Sequence, residues 1–214
     1  MTGPLVAPDH VARVGFVART PDPVRRLQLL DEVVGYLAGH GLGLLSLRPL
    51  AAELGVSTNR LVHHFGTKDQ LVTVALARAV QIQEEQRQRW LAENPRLGQV
   101  ELLRRWWAWM NERRENLALV RLAFEAVTLD ATVSGLPGEV RDAQISLWRS
   151  NIEQRLIAGG MPAEEAAVEA SLVKATFSGL VLDLIASGDV ARLQAALDTM
   201  LVRLEDRLVT RSVG

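Results

Sequence analysis

Apolar positions along the chain recur at spacings of three and four and rarely alternate at two, which predicts an all-α protein. Leu27, Leu30, Val34 and Leu37 stand at i, i+3, i+7 and i+10 and predict a first helix over 23–40, with Gly41 as its C-cap. Ser46 can cap a short second helix carrying Leu47, Leu50, Ala51 and Leu54. Gly55 makes a turn, and Ser57 can cap a short third helix whose Leu61 points inward. Gly66 and Thr67 end that helix. Thr67 with Gln70 then has the spacing of a capping box for a long fourth helix over 68–92, which Asn94-Pro95 stops. Further helices are predicted over 97–113, 115–129, 139–158, 162–186 and 190–210. Between them lie the break TVSGLPG at 132–138, Gly159-Gly160 and Ser187-Gly188-Asp189. Residues 1–20 have no period and form an arm. The chain thus divides into the arm at 1–20, a three-helix unit at 21–68 and a helical bundle at 69–214.

Residues 46–65 are two helices of about eight residues joined by a glycine turn, the plan of a helix-turn-helix whose second helix enters the DNA major groove. An ordinary pair of bundle helices has the same outline. The outer face of the second helix favours DNA: Ser57, Thr58, Asn59, Arg60 and His63 are polar donors, and none is acidic. The adjacent His63 and His64 invite a metal reading. Neighbouring helical residues diverge by about 100°, however, and no other His or Cys is near in sequence. His63 is expected to point outward to a phosphate, and His64 to pack at the helix end beside Phe65, a core residue.

The stretch LAAELGVSTNRLVHHFGTKDQL resembles the N-terminal signature of the TetR family of bacterial transcriptional regulators. Leu50-Ala51, Gly55-Val56-Ser57, Leu61, His64-Phe65, Lys68 and Leu71 carry the likeness in register, and it extends over 23–80. The resemblance implies a homodimer, a double-stranded DNA operator, and a small-molecule effector that releases the DNA. It implies an N-terminal three-helix DNA-binding domain ahead of a C-terminal bundle for ligand binding and dimerisation. Val62 stands where the family usually has tyrosine, and Asn59-Arg60 where a small pair is common. Thr58, Asn59 and Arg60 are candidates for base edges or phosphates. Ser57 is chiefly a cap. Ser46 and Arg48 would face the opposite phosphate strand. Lys68 opposes the dipole at the start of the fourth helix, which makes sense if a phosphate docks there beside Thr67. Arg25 and Arg26 can assist with phosphates, and Arg13 and Arg19 of the arm can reach a minor groove.

In the bundle, Trp106, Trp109 and Met110 are expected on one helical face, with Trp107 off it. With Phe124, Trp148 and Phe177 they can line an apolar cavity or simply fill the core. Asn151, Asn111, Glu125 and Gln144 are polar groups that could orient a ligand. Small and apolar residues over 166–186, among them Leu172, Ser178, Gly179 and Leu182, can form an association surface. So can the stripe Leu193, Leu197, Met200, Leu201 and Leu204, which can equally pack inside one subunit.

The 214 residues are 48% hydrophobic, enough for a large core, and carry a net charge of −1. Bulk charge therefore gives no affinity for nucleic acid, although the N-terminal third has a small positive excess. Cysteine is absent, which excludes disulfides and thiol catalysis and fits a cytoplasmic protein. No uninterrupted apolar run suggests a membrane span. Gly-rich phosphate loops, Gly-x-Ser-x-Gly and His-Glu-x-x-His are missing, so neither an enzyme nor a cofactor or metal is expected. The competing reading is an all-helical adaptor that binds DNA without sequence preference.

Overall fold

In a computed structural model, residues 22–128 and 138–209 are described. Those residues fold as nine helices with no strand. They are α1 (Pro23–His40), α2 (Leu47–Glu53), α3 (Thr58–Phe65), α4 (Lys68–Glu93), α5 (Gln99–Glu112), α6 (Arg114–Thr128), α7 (Gly138–Ala158), α8 (Ala163–Ser187) and α9 (Val190–Val209). The arm, with Arg13 and Arg19, and most of the TVSGLPG break lie outside the described residues.

Two cores organise the chain. The first is built from α1 to α4: Leu29, Leu30, Val33, Val34 and Leu37 meet Leu50, Leu61, Phe65, Leu71 and Leu76. Leu27 is not part of it. That side chain is exposed because the buried stripe of α1 runs one step round, through Leu30, Val33, Val34 and Leu37. The first core does not stop at residue 68. It takes in Val72, Ala75 and Ala79 of α4, and also Leu122 and Ala126 of α6, so α6 lies against both α1 and α4. The three-helix head is therefore continuous in packing with the body.

The second core joins α5, α7, α8 and α9. Leu103, Trp107 and Met110 meet Ile152, Leu156, Val173, Phe177, Val181 and Leu184. Leu193, Leu197, Leu201 and Leu204 complete it, each at most 2% exposed. These four leucines were candidates for an association surface, and they are already buried in their own subunit. At i, i+4, i+8 and i+11 they form one stripe of α9, which packs on α8 and α5. Met200 is only partly buried.

Helix α8 leaves several apolar side chains outside on one face. Val168, Leu172 and Leu182 are 62%, 54% and 46% exposed, and Gly179 is exposed between them. Helix α8 also has the length and apolarity to cross a membrane by composition alone, with mean hydropathy 1.4. Charges still interrupt the apolar run, as the sequence shows, and a core helix passes the same test. Of the charges on α8, Glu169 is buried and pairs with Arg207 of α9 at 2.5 Å. The opposite face of α8 packs on α7 and α9.

Candidate nucleic-acid interface

Helix α3 is fixed at both ends by interactions its own sequence supplies. Ser57 occupies the N-cap, and its hydroxyl accepts the Arg60 N–H at 3.2 Å. Gly55, at φ +63°, turns the chain between α2 and α3, and the Val56 N–H donates to the Ala51 carbonyl at 2.9 Å. Gly66 ends α3 at φ +79°, a backbone that other residues rarely adopt. Immediately after, Thr67 and Gln70 close the reciprocal capping box of α4. Ser46 holds the N-cap position of α2, but its side chain makes no capping hydrogen bond.

Leu61 and Phe65 bury one side of α3. The other side presents Asn59, Arg60 and His63 as exposed groups, with Thr58 half-buried at the first turn. Ser46, Arg48, Ser57, Thr67 and Lys68 are also exposed, at the starts of α2, α3 and α4. The nine candidates thus occupy one short segment of chain whose helix starts carry unpaired backbone N–H groups.

The histidines are closer to each other than a 100° divergence suggests. Their rings meet edge to face, with centroids 5.5 Å apart, and His64 lies 5.9 Å from Phe65. His63 is exposed. His64 is half-buried, and its Nδ1 is shut off from solvent without a hydrogen-bond partner. Burial, then His63, Arg60 and Arg26, hold the His64 imidazole below its ordinary pKa of 6.5. Arg60 of α3 and Arg26 of α1 thus put two guanidinium charges near this ring. Among the described residues no group of three His, Asp or Glu gathers as a metal site.

Arg26 has a role that sequence reading missed. Its Nε donates to the His64 carbonyl at 3.3 Å, and its guanidinium lies 5.2 Å from the Phe65 ring centre. It thus ties α1 to the last turn of α3 and so positions that helix. Arg25, by contrast, is exposed and pairs with Asp22, which caps α1. The pairing of Arg26 is a contact over 38 residues, and no local signal marks it.

In the body, the expected aromatic cluster divides. Phe177 meets Trp107 and Trp148 edge to face, with centroids 6.3 and 5.7 Å away. Trp106 instead stands edge-on between Trp90 and Trp109, at 5.2 Å from each. Trp107, left out of the expected cavity, is therefore the α5 tryptophan that joins Phe177. Met110 shares its buried face, three residues on. Met110 and Phe177 are core side chains, while Phe124, Trp148 and Asn151 are partly buried. An open cleft of about 660 Å³ lies between α4, α5 and the start of α6, lined by Arg89, Trp90, Trp109, Glu112, Arg113 and Asn116. Trp109 is the one ligand candidate that reaches it.

Glu125 and Asn111 are engaged within the protein and not aimed at a ligand. The Glu125 carboxylate accepts the Leu42 N–H at 2.9 Å, and Arg121 donates to the Ala38 carbonyl at 2.7 Å. The two side chains also pair with each other along α6 at 3.5 Å. Together they satisfy main-chain groups at the C-terminal end of α1, a latch between body and head. Asn111 donates to the Trp107 carbonyl. The side chain of Gln144 lies outside the described residues.

Residues 29–75 match the family "Bacterial regulatory proteins, tetR family". The N-terminal domain is of the tetR family. Solved structures extend the likeness over the remaining helices. A transcriptional regulator from Saccharomonospora viridis, in complex with choline, superposes with a TM-score of 0.66 at 18% identity, over 84% of this chain and 96% of that one. A TetR-family regulator from Agrobacterium tumefaciens gives 0.65 at 22%, over 83% and 98%. A regulator from Rhodococcus sp. RHA1 gives 0.62 at 26%, over 83% and 94%. Among curated proteins, none matches the chain. The chain has the fold of the tetR-type transcriptional regulators and carries their DNA-binding helix-turn-helix.

Proposed function

We propose that this chain is a ligand-responsive transcriptional repressor of the tetR type, acting in the cytoplasm as a homodimer. The observation that carries the reading is α3 itself: an exposed row of donors without an acid, clamped at one end by Ser57 and at the other by Gly66 and Arg26. Asn59, Arg60 and His63 enter the major groove, with Thr58 at the first turn. Ser46, Arg48, Ser57, Thr67 and Lys68 meet phosphates on either side. Phosphate contacts set the register, and base edges provide the sequence preference.

Dimerisation is assigned to the exposed stripe of α8, through Val168, Leu172, Gly179 and Leu182, with Ser178 and Met200 at its margin. It replaces the buried leucines of α9 in that role. A two-fold axis there would set the two copies of α3 about one DNA turn apart, roughly 34–36 Å. Effector binding in the body would act through α6, whose Leu122 and Ala126 lie in the head core and whose Arg121 and Glu125 hold the end of α1. An effector works only by binding one head arrangement better than another. A bound small molecule in the Saccharomonospora structure supports a ligand role for such a body.

The test is a gel shift with the intergenic DNA beside the gene, at physiological salt and with unrelated competitor. A specific complex of two chains per operator is expected. Equal affinity for both DNAs, with an intact dimer, would support the adaptor reading instead.

A further inference from the structure

Helix α5 divides its side chains between two neighbours. Leu103, Trp107 and Met110 enter the second core. Four others, from Arg105 to Glu112, line the open cleft of about 660 Å³ shared with α4 and the start of α6. They stand at i, i+3, i+4 and i+7. So do the four residues of α4 that line it, from Gln86 to Glu93, and one face of each helix thus forms a wall. The size is that of a small-molecule site. Part of the lining is aromatic. Trp90 and Trp109 both reach the cleft, and Trp106 stands edge-on between them at 5.2 Å from each. Leu97 and Leu102 pack in the same cluster and hold these rings in place. The charges of the lining do not balance. Arg105 is engaged by Glu93 at 3.3 Å and by Glu101 at 3.5 Å. The side chains of Arg89, Arg113 and Glu112 are exposed, and among the described residues none of them has a hydrogen bond or an ion pair. Two guanidiniums are thus set against one carboxylate. A lone exposed arginine is ordinary surface. Two that line one cleft beside indole rings are complementary to an anion that carries a flat ring.

We infer that this cleft binds a small planar aromatic carboxylate, its ring against Trp109 and Trp90 and its charge held by Arg89 and Arg113. The inference rests on the effector reading and gives it a site and a ligand class. Two of the helices that line the cleft also reach the head. Helix α4 begins at Lys68, directly after α3. Helix α6 begins at the cleft, where the Asn116 amide donates to the Trp109 carbonyl at 2.8 Å. Farther along, α6 carries Leu122 and Ala126 into the first core and, through Arg121 and Glu125, holds the end of α1. A ligand wedged between α4 and the start of α6 therefore acts on both supports of the head at once. Because the two arginines are exposed, their hold on a carboxylate weakens as salt is added.

The experiment is calorimetric titration of the full chain with three probes: naphthoate, its neutral analogue naphthylmethanol, and the non-planar anion cyclohexanecarboxylate. Naphthoate is expected to bind at least about tenfold tighter than either of the others. Arg89→Gln with Arg113→Gln should remove its advantage over naphthylmethanol; both side chains are exposed, so this variant keeps its fold. Trp109→Leu should remove its advantage over cyclohexanecarboxylate. Equal affinity of the parent for all three probes overturns the proposal whether or not a variant folds. No binding of naphthoate at millimolar concentration does the same, and so does a preference untouched by the loss of both arginines. Release of operator DNA is measured separately. Naphthoate that binds through the two arginines and leaves the DNA complex intact would sustain the site and refute the effector reading. Specific operator binding with no naphthoate preference would sustain the DNA-binding reading and refute the site.

Discussion

His64 is held neutral by its surroundings, and the consequence is measurable. Its pKa in the folded chain lies below 6.5 because of burial, with His63, Arg60 and Arg26 adding to the effect. The unfolded chain therefore takes up the proton first as pH falls. Stability is full above about 6.5, is lost as pH drops toward the folded value, and levels off below it. Urea denaturation from pH 7.5 to 5.5 should record this loss, and His64→Asn should flatten it. Arg60 has no such burial to constrain it. Arg60→Ala is expected to relax base preference at one operator position by about 1–3 kcal/mol. A uniform loss over all sequences, with a shallower salt dependence, would place its guanidinium on phosphate.

At the scale of elements, the joint between α3 and α4 is built with little slack. A Cβ on Gly66 would stand 2.0 Å from the Gln70 Oε1, and φ is +79°. Gly66→Ala must therefore strain the backbone and push out the side chain that completes the capping box of α4. A loss of about 1–3 kcal/mol is expected in denaturant titration, with DNA affinity falling as the aim of α3 is lost. The latch on α6 is the second joint. Glu125→Leu would strand the Leu42 N–H and take from Arg121 its ion-pair partner, leaving it the Ala38 carbonyl, at a cost of about 1–3 kcal/mol. Protection of the Leu42 amide from hydrogen exchange should fall in that variant. Unchanged protection would mean that the latch holds nothing.

At the scale of the molecule, apolar residues on the last two helices have two different fates. Leu172 and Leu182 are exposed, while Leu197 is fully buried. Leu172→Glu with Leu182→Glu should yield a folded monomer by sedimentation, with operator affinity sharply reduced. Leu197→Ala should leave the dimer intact and cost about 2–5 kcal/mol, the price of a cavity in the second core. If the Leu197 variant dissociates and the double variant does not, the assignment of the surface is wrong.

The sequence by itself determined the local events. Caps, positive-φ glycines and three-and-four spacing act within a few residues. Ser57, Gly66, Thr67 with Gln70, and the limits of all the described helices were accordingly legible to within two residues. The helix-turn-helix was legible for the same reason, since its turn, its small core and its polar face sit within 22 residues. Tertiary structure decided which of several apolar faces turns inward. On α9 the leucine stripe could meet another subunit or its own, and packing on α5 and α8 chose its own. On α5, Trp106 and Trp107 are adjacent and differ by about 100°, so the position of α7 and α8 decided which one joins Phe177. Arg26 with His64 and Glu125 with Leu42 span 38 and 83 residues, and only the folded chain brings them together. A helical pattern fixes the direction of a side chain relative to its own axis. The neighbour it meets is set by the packing of all the helices at once.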